Sequence, residues 1–196
     1  MKKFLCGILV LVAVTATAQS KKFTFKLGDN YELPRRSDDL AFFGNDQDGI
    51  INLSLKKDEL TILRFNPKTL AQTSDKAIEL DVTKNFNSEM LVDFGTNYYW
   101  IHSDWDKSAE TEMLFYDKID VVNGKISESN KKLFETTKIA GDGLFTSYFG
   151  RGKTVNKYRF NYSADHKKLL ISYRLYPEKR SDKENYDKLG LQVFDD

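Results

Sequence analysis

Residues 49–65 read Gly-Ile-Ile-Asn-Leu-Ser-Leu-Lys-Lys-Asp-Glu-Leu-Thr-Ile-Leu-Arg-Phe, and this stretch decides the fold class. Ile51, Leu53 and Leu55 alternate with polar residues, which is the period-two pattern of a strand with one buried face. The polar run at 56–59 is typical of a turn, and residues 60–65 form a second apolar segment. The stretch therefore predicts an antiparallel hairpin.

Short apolar segments separated by polar turns continue from this hairpin to the end of the sequence. Further strands are predicted at 77–82, 89–94, 98–103, 111–122, 126–134, 158–162, 169–175 and 189–194. Asn123-Gly124 is a strong hairpin signal because both residues tolerate positive φ. The 14 Phe and 10 Tyr residues also suit half-buried pleated surfaces. We therefore predict an all-β domain of antiparallel sheets over residues 41–196, preceded by a polar segment at 19–40.

One phrase recurs, in which an apolar strand closes on an aromatic residue and then Asn or Asp. It occurs at Ile62–Asn66, Met113–Asp117 and Gln192–Asp195. From Asn66 to Asp117 is 117 − 66 = 51 residues, near the ~40–50 residues of a four-stranded blade. From Asp117 to Asp195 is 195 − 117 = 78 residues, which requires insertions at 139–153 and 181–187.

This pattern resembles a β-propeller over about residues 41–196, without a Trp-Asp, Asp-box or Kelch signature. It is most similar to the loosely repeating blades of exported bacterial proteins. The resemblance implies two to three blade-like repeats, whereas propellers carry about 4–8 blades. The sequence therefore predicts truncation at the C-terminus, with a β-sandwich or an open barrel as the alternative fold.

The first 18 residues have the features of a cleavable signal peptide. Lys2 and Lys3 precede an apolar run at 4–14, and Ala16 and Ala18 are small residues at the positions that signal peptidase requires. Cleavage is predicted between Ala18 and Gln19, and the run is too short to anchor the chain in a membrane. We expect the protein to be exported and to be periplasmic, outer-membrane-associated or secreted.

Charge and cysteine content restrict the partners of the mature chain. Cleavage removes Lys2 and Lys3, which leaves 30 − 2 = 28 basic side chains against 29 acidic ones. This balance gives no basic excess for binding a phosphate backbone, so a nucleic-acid partner is not expected. Cleavage also removes Cys6, the single cysteine, so the mature chain forms no disulfide. We predict no cofactor and no membrane span after signal removal.

The most chemically suggestive cluster is His102-Ser103-Asp104-Trp105-Asp106. As alternate residues of a strand, Asp104 and Asp106 share one face, about 7 Å apart. They are candidate catalytic carboxylates of a glycosidase, with Trp105 and His102 as ligand-binding residues. The alternative is a strand end that enters a polar loop. The neighbouring run Tyr98-Tyr99-Trp100 is interpreted as core packing rather than as a groove.

Other motifs favour plain structural interpretations. Asn45–Gly49 resembles the start of a calcium loop, but Gly44 and Leu55 stand where key ligands belong, so we predict a turn and no metal site. The glycine-rich segment 141–153 is interpreted as a loop between strands rather than as a phosphate site, because no helix is predicted to follow it.

The predicted function is a noncatalytic module of the cell envelope that binds a ligand or protein. An unidentified protein or glycan is the expected partner, and the loops 104–111, 141–153 and 178–188 are candidates for the binding face. The alternative is a glycoside hydrolase or lyase on the same scaffold, because fold alone does not determine function.

Overall fold

The computed structural model describes residues 26–45, 48–83, 86–137, 139–141, 156–176 and 188–195. The described chain is all-β, as the sequence predicts, and its sheets are antiparallel. All of its strands lie in the compact unit that begins at Tyr31. The signal-peptide residues, with the cleavage pair Ala18 and Gln19, lie outside the described residues.

The described strands form three sheets, each a meander of consecutive strands. Sheet A contains β1 (Asp38–Asn45), β2 (Gly49–Lys56), β3 (Glu59–Phe65) and β4 (Gln72–Glu79). Sheet B contains β5 (Asn87–Asp93), β6 (Tyr98–Asp106), β7 (Thr111–Asp120) and β8 (Lys125–Thr137). Sheet C contains β9 (Ile139–Ala140), β10 (Tyr158–Tyr162), β11 (Lys168–Leu175) and β12 (Lys188–Asp195).

In sheet C the first strand is divided in two. β10 and β9 both pair with the edge of β11 that faces away from β12. β12 is therefore the third strand of its sheet, as β3 and β7 are in theirs. The three occurrences of the aromatic-Asn/Asp phrase consequently begin on the third strand of each sheet.

Sheet B is covered on both faces, because alternate residues of β6 enter two different cores. Tyr98 and Trp100 pack with Ile51, Leu53 and other residues of sheet A. Tyr99 and Ile101 pack with Leu169, Ile171 and other residues of sheet C. A strand buried on both faces is expected to be a continuous apolar run, and 98–101 is such a run. The core interpretation of Tyr98-Tyr99-Trp100 is confirmed by exposures of 6% or less.

Sheets A and B lie closest at their first strands, β1 and β5. By contrast the fourth strand β4 is exposed along most of its length, at Gln72, Thr73, Asp75, Lys76 and Ala77. The first strands of the two sheets therefore run close together, and β4, at the other edge of sheet A, carries mainly polar side chains.

The structure corrects two of the predicted strand positions in sheet A. The strand expected at 77–82 is β4 at Gln72–Glu79, and β1 was not predicted at all. Both are peripheral strands in which exposed polar residues interrupt the alternation, so neither has a clear period-two signal. Asp104–Asp106, which we placed in a loop, is the end of β6, and the turn follows at 107–110.

Gly49 and Gly95 allow a matched test of whether the structure has room for a side chain at a glycine position. Both have positive φ (85° and 89°), which is unfavourable for other residues. A Cβ on Gly49 would lie 2.7 Å from the Phe65 carbonyl oxygen, whereas a Cβ on Gly95 would meet no atom of the described residues within 4 Å. We expect Gly95→Ala to cost about 1 kcal/mol of unfolding free energy from φ alone, and Gly49→Ala to cost clearly more. Urea denaturation measures both, and equal losses would contradict the close approach to Phe65.

Candidate functional site

The end of β6 carries polar residues into both intersheet interfaces. His102 continues the face that packs on sheet A, and Ser103 continues the face that packs on sheet C. Their exposures are only 2% and 0%. Buried polar side chains are expected to have hydrogen-bond partners, so the groups around these two residues are candidates for a functional site.

His102 is held between two aromatic rings. Its imidazole stacks on Trp100, with ring centroids 4.5 Å apart, and on Phe115 at 5.5 Å. Both ring nitrogens are buried, and neither has a hydrogen-bond partner among the described residues. The Nε2 atom lies 3.6 Å from Oδ1 of Asp117, which is too long for a good hydrogen bond. The ring is therefore fixed in position while its hydrogen-bonding capacity stays unused.

Asp117 lies on the same face of sheet B as His102, because it pairs with Trp100 across β6 and β7, and a bulge between β7 and β8 brings a hydrogen-bond donor to it. The register shifts between Tyr116 and Lys118, where Asn130 adopts a φ of 51°. Asn tolerates this left-handed conformation better than most residues. The Asn130 backbone N–H donates to Asp117 Oδ1 at 2.5 Å, and Asp117 Oδ2 is buried without a partner. The bulge thus holds a second underused polar group beside the imidazole.

A cleft of about 380 Å³ opens between sheet B and the segment that connects β4 to β5; we call it the histidine cleft. Its lining residues are Asp81, Val82, Thr83, Phe86, His102, Asp104, Met113, Phe115 and Asn130. Thr83 donates its hydroxyl to Asp104 Oδ2 at 2.8 Å, and the Asn130 side chain donates to the Asp81 carbonyl oxygen at 2.6 Å. These bonds join the segment after β4 to sheet B. The volume is in the range of pockets that bind small organic groups.

A second polar cluster lies between sheets B and C and is buried more deeply; we call it the lysine cluster. The Lys157 ammonium contacts Glu112, donates to Ser103 Oγ at 2.9 Å, and lies 3.6 Å from Glu89 Oε1. Ser103 in turn donates to Glu89 Oε1 at 2.5 Å. The side chains of Lys157 and Glu112 are each 3% exposed, so this ion pair is almost entirely removed from water.

Burial affects the acidity of the groups in the lysine cluster. It raises the pKa of Glu112, although the Lys157 ammonium acts in the opposite direction. Burial, with the Glu112 and Glu89 carboxylates next in importance, also raises the pKa of the Tyr158 hydroxyl strongly. Because Ser103 is fully buried, the cluster cannot present its hydroxyl to a substrate in this conformation. The cluster is best understood as a connection between the two sheets.

The four residues singled out in the sequence do not form one site. His102 and Asp104 both line the histidine cleft. Trp105 is 40% exposed, and alternation along β6 directs it to the opposite face. Asp106 accepts hydrogen bonds from Ser108 and Ala109, and these bonds lower the pKa of its carboxyl group. Asp106 therefore stabilises the turn at 107–110.

Sequence reasoning missed most of the groups that surround His102 and Ser103. Asp117 had a signal, because it belongs to the recurring aromatic-Asp phrase. Glu112 also had one, since it shares strand parity with the fully buried Leu114. No sequence signal marked Lys157, because it lies in an irregular segment before β10 and reaches its partners only through the packing of two sheets.

No family model, curated protein or solved structure matches this chain. Among the described residues, no three His, Cys, Asp or Glu side chains are grouped as metal ligands would be. In the same described ranges, no helix is long and apolar enough to cross a membrane. Of the predicted binding loops, 141–153 and 178–188 lie almost wholly outside the described residues.

Proposed function

We propose that the chain is an exported, noncatalytic binding module of the β-propeller type, with the histidine cleft as its binding site. Three features support a propeller-type arrangement. Each sheet is a meander of consecutive strands, sheet B is covered on both faces, and sheets A and B lie closest at their first strands. The aromatic-Asn/Asp phrase on each third strand agrees with a repeating unit. The apolar run before Ala18 supports export.

The observation that carries the binding role is the unused hydrogen-bonding capacity of His102. A buried polar group without a partner costs free energy comparable to a lost hydrogen bond. Such groups in a native protein are often explained by a functional role. His102 is such a group at the wall of the histidine cleft, and a ligand would recover this cost only if the packing that buries the two ring nitrogens opened locally. No chemical step is required for that role.

The alternative is a glycan-active enzyme, and one observation favours it. Asp81 and Asp104 both line the histidine cleft, and glycoside hydrolases act through two carboxyl groups that flank the bond to be cleaved. The original pairing of Asp104 with Asp106 is less favourable, because Asp106 is bound to its own turn.

A panel of glycans and peptides separates the two functions. The full chain is incubated with each compound, and binding and release of new reducing ends are measured together. We expect binding without turnover, with the binding weakened about tenfold in Asp104→Asn through loss of a charged hydrogen-bonding group. Asp106→Asn, on the same strand but bound to its own turn, is the matched control. Turnover that disappears in Asp104→Asn and Asp81→Asn would establish the enzyme and overturn the proposal.

A further inference from the structure

We propose that the outer edge of β12 pairs with β12 of a second copy of this chain, so that two copies of sheet C join into one antiparallel sheet. The surface belongs to sheet C and shares no residue with the histidine cleft, so the inference does not depend on the binding function proposed above. It combines the exposure of β12, the order of its apolar residues and the charges on the same face.

β12 is the last strand of sheet C among the described residues. It pairs with β11 through one edge, and no described strand pairs with its other edge. The third strands of sheets A and B each pair with a fourth strand on that side, β3 with β4 and β7 with β8. An unpaired strand edge presents a row of backbone donors and acceptors to a further strand.

β12 has the exposure of an edge strand and the composition of an interior strand. β4 and β12 have the same pattern of exposed and half-buried positions along their 8 residues. The exposed positions of β4 are mainly polar, whereas Leu189, Leu191 and Val193 of β12 are 66%, 61% and 61% exposed. Edge strands are normally protected by charged residues, proline or bulges. β12 lacks these features, because it pairs with β11 without a bulge, contains no proline and carries charged residues only at its ends, Lys188 and Asp195.

The three apolar residues form a stripe on one face of sheet C, since they alternate along β12. Phe194, on the other face of the strand, packs in the core between sheets B and C. The apolar stripe therefore lies on the face that points away from sheet B, which we call the outer face. An antiparallel partner strand would place its own side chains beside the stripe, with about 4.5–5.5 Å between directly opposite Cβ atoms.

The apolar stripe is self-complementary, which favours a second copy as the partner. If Leu191 of one copy lies opposite Leu191 of the other, then Leu189 of each copy lies opposite Val193 of the other. Directly opposite residues of antiparallel strands share a face, so these side chains form apolar pairs on the outer face. The arrangement has a two-fold axis at the Leu191 pair and closes with two copies.

The charges of the outer face favour pairing through the edge over coverage of the whole face. Arg174 lies on this face because it pairs with Leu189. Arg159 lies there because it pairs with Ser172, the partner of Leu191. An apolar partner that covered the face would remove both arginines from water, which costs free energy unless they are paired. Pairing through β12 leaves them exposed and separates the two β11 strands by three strand spacings, about 14 Å, which is beyond the Debye length of about 8–10 Å.

The small size of the contact predicts a weak dimer. One short strand ladder and its apolar pairs bury less than the about 1,200–2,000 Å² of a stable specific interface. Contacts of this size are typical of transient complexes. The dimer is therefore expected to dissociate on dilution.

Sedimentation velocity of the full chain from about 1 µM to about 1 mM tests the inference. We expect a monomer that converts to a dimer as the concentration rises. Leu191→Lys and Leu191→Glu should each weaken the dimer at least about tenfold, because each places like charges directly opposite one another. An equimolar mixture of the two variants should dimerise again, since opposite charges then meet. Ala77→Lys, at an exposed position of β4, is the matched control and should dimerise as the wild type does.

A chain that stays monomeric over this range would overturn the proposal, and hydrogen exchange then identifies the occupant of the edge. Slow exchange of the outward amides of β12 would assign the edge to a segment of the same chain, and fast exchange would leave it to a different protein. Equal weakening by Ala77→Lys and Leu191→Lys, or a mixture that stays monomeric, would overturn pairing about Leu191. Growth beyond a dimer would overturn the closed two-fold arrangement. Melting curves of the variants separate a loss of pairing from a loss of folding.

Discussion

Lys157→Met should lower the free energy of unfolding by about 3–5 kcal/mol, the usual cost of removing one partner from a buried ion pair. The variant has an apolar side chain of similar length, so loss of charge dominates over loss of volume. Glu112 would then be buried at 3% exposure without its cation, and Glu89 would lose a neighbouring positive charge. Chemical denaturation monitored by tryptophan fluorescence measures the loss.

Lys168→Met is the matched control for this variant. Lys168 forms an ion pair with Asp195 at 2.9 Å, but both side chains are more than half exposed. Exposed ion pairs contribute little because water and salt screen them. The denaturation midpoint should therefore be unchanged, and equal losses in the two variants would contradict the burial of the lysine cluster.

The effect of Lys157→Met should also depend on pH. Burial already holds the pKa of Glu112 above its ordinary value of 4.5, and removal of the ammonium raises it further. The folded variant then binds a proton more tightly than the unfolded chain, so its stability rises as the pH falls toward 4.5. The difference between wild type and variant should be smaller at pH 5 than at pH 8. A difference that is constant with pH would assign the loss to packing, and Glu112→Gln in the same background should restore part of it.

Trp100→Ala should cost about 3–5 kcal/mol of unfolding free energy, as is usual for an aromatic residue in a core. Trp100 is 0% exposed, packs edge-on against Phe86 and donates its indole N–H to Ser88 Oγ at 2.8 Å. The substitution would also remove one of the two rings that hold His102. Urea denaturation measures the loss.

Trp105→Ala provides the control from the same strand, and a loss of less than about 0.5 kcal/mol is expected for a surface position. The sequence contains two Trp residues, so each variant leaves a single emitter. Emission should be at short wavelength when only Trp100 remains and at long wavelength when only Trp105 remains. The reverse order would contradict the burial of Trp100 and the exposure of Trp105.

The sequence predicts sheet B well because its strands are long and bounded by clear turns. The strands expected at 89–94, 98–103, 111–122 and 126–134 correspond to β5, β6, β7 and β8. The errors concern peripheral strands, in which exposed polar residues hide the alternation. β9 is too short at two residues to produce any periodic signal.

The candidate site was only partly predictable, for a physical reason. Alternation along one strand places His102 and Asp104 on the same face and Trp105 on the other, and this could be read from the sequence. The contacts of Asn130 and Lys157 depend on a bulge and on packing between sheets. Contacts between residues distant in sequence leave no periodic trace, so a single sequence cannot reveal them.

Odd-numbered and even-numbered residues of β6 lie in different cores. The stability of the packing on sheet A is therefore coupled through sheet B to the packing on sheet C. The amides of β6 should exchange with deuterium only when both interfaces open, while those of the exposed strand β4 exchange by local fraying. A change that loosens the packing of sheet B on sheet A would also disturb its packing on sheet C, because both faces belong to the same strands. A ligand in the histidine cleft, bound against sheet B, should therefore slow exchange as far away as β11 without touching it.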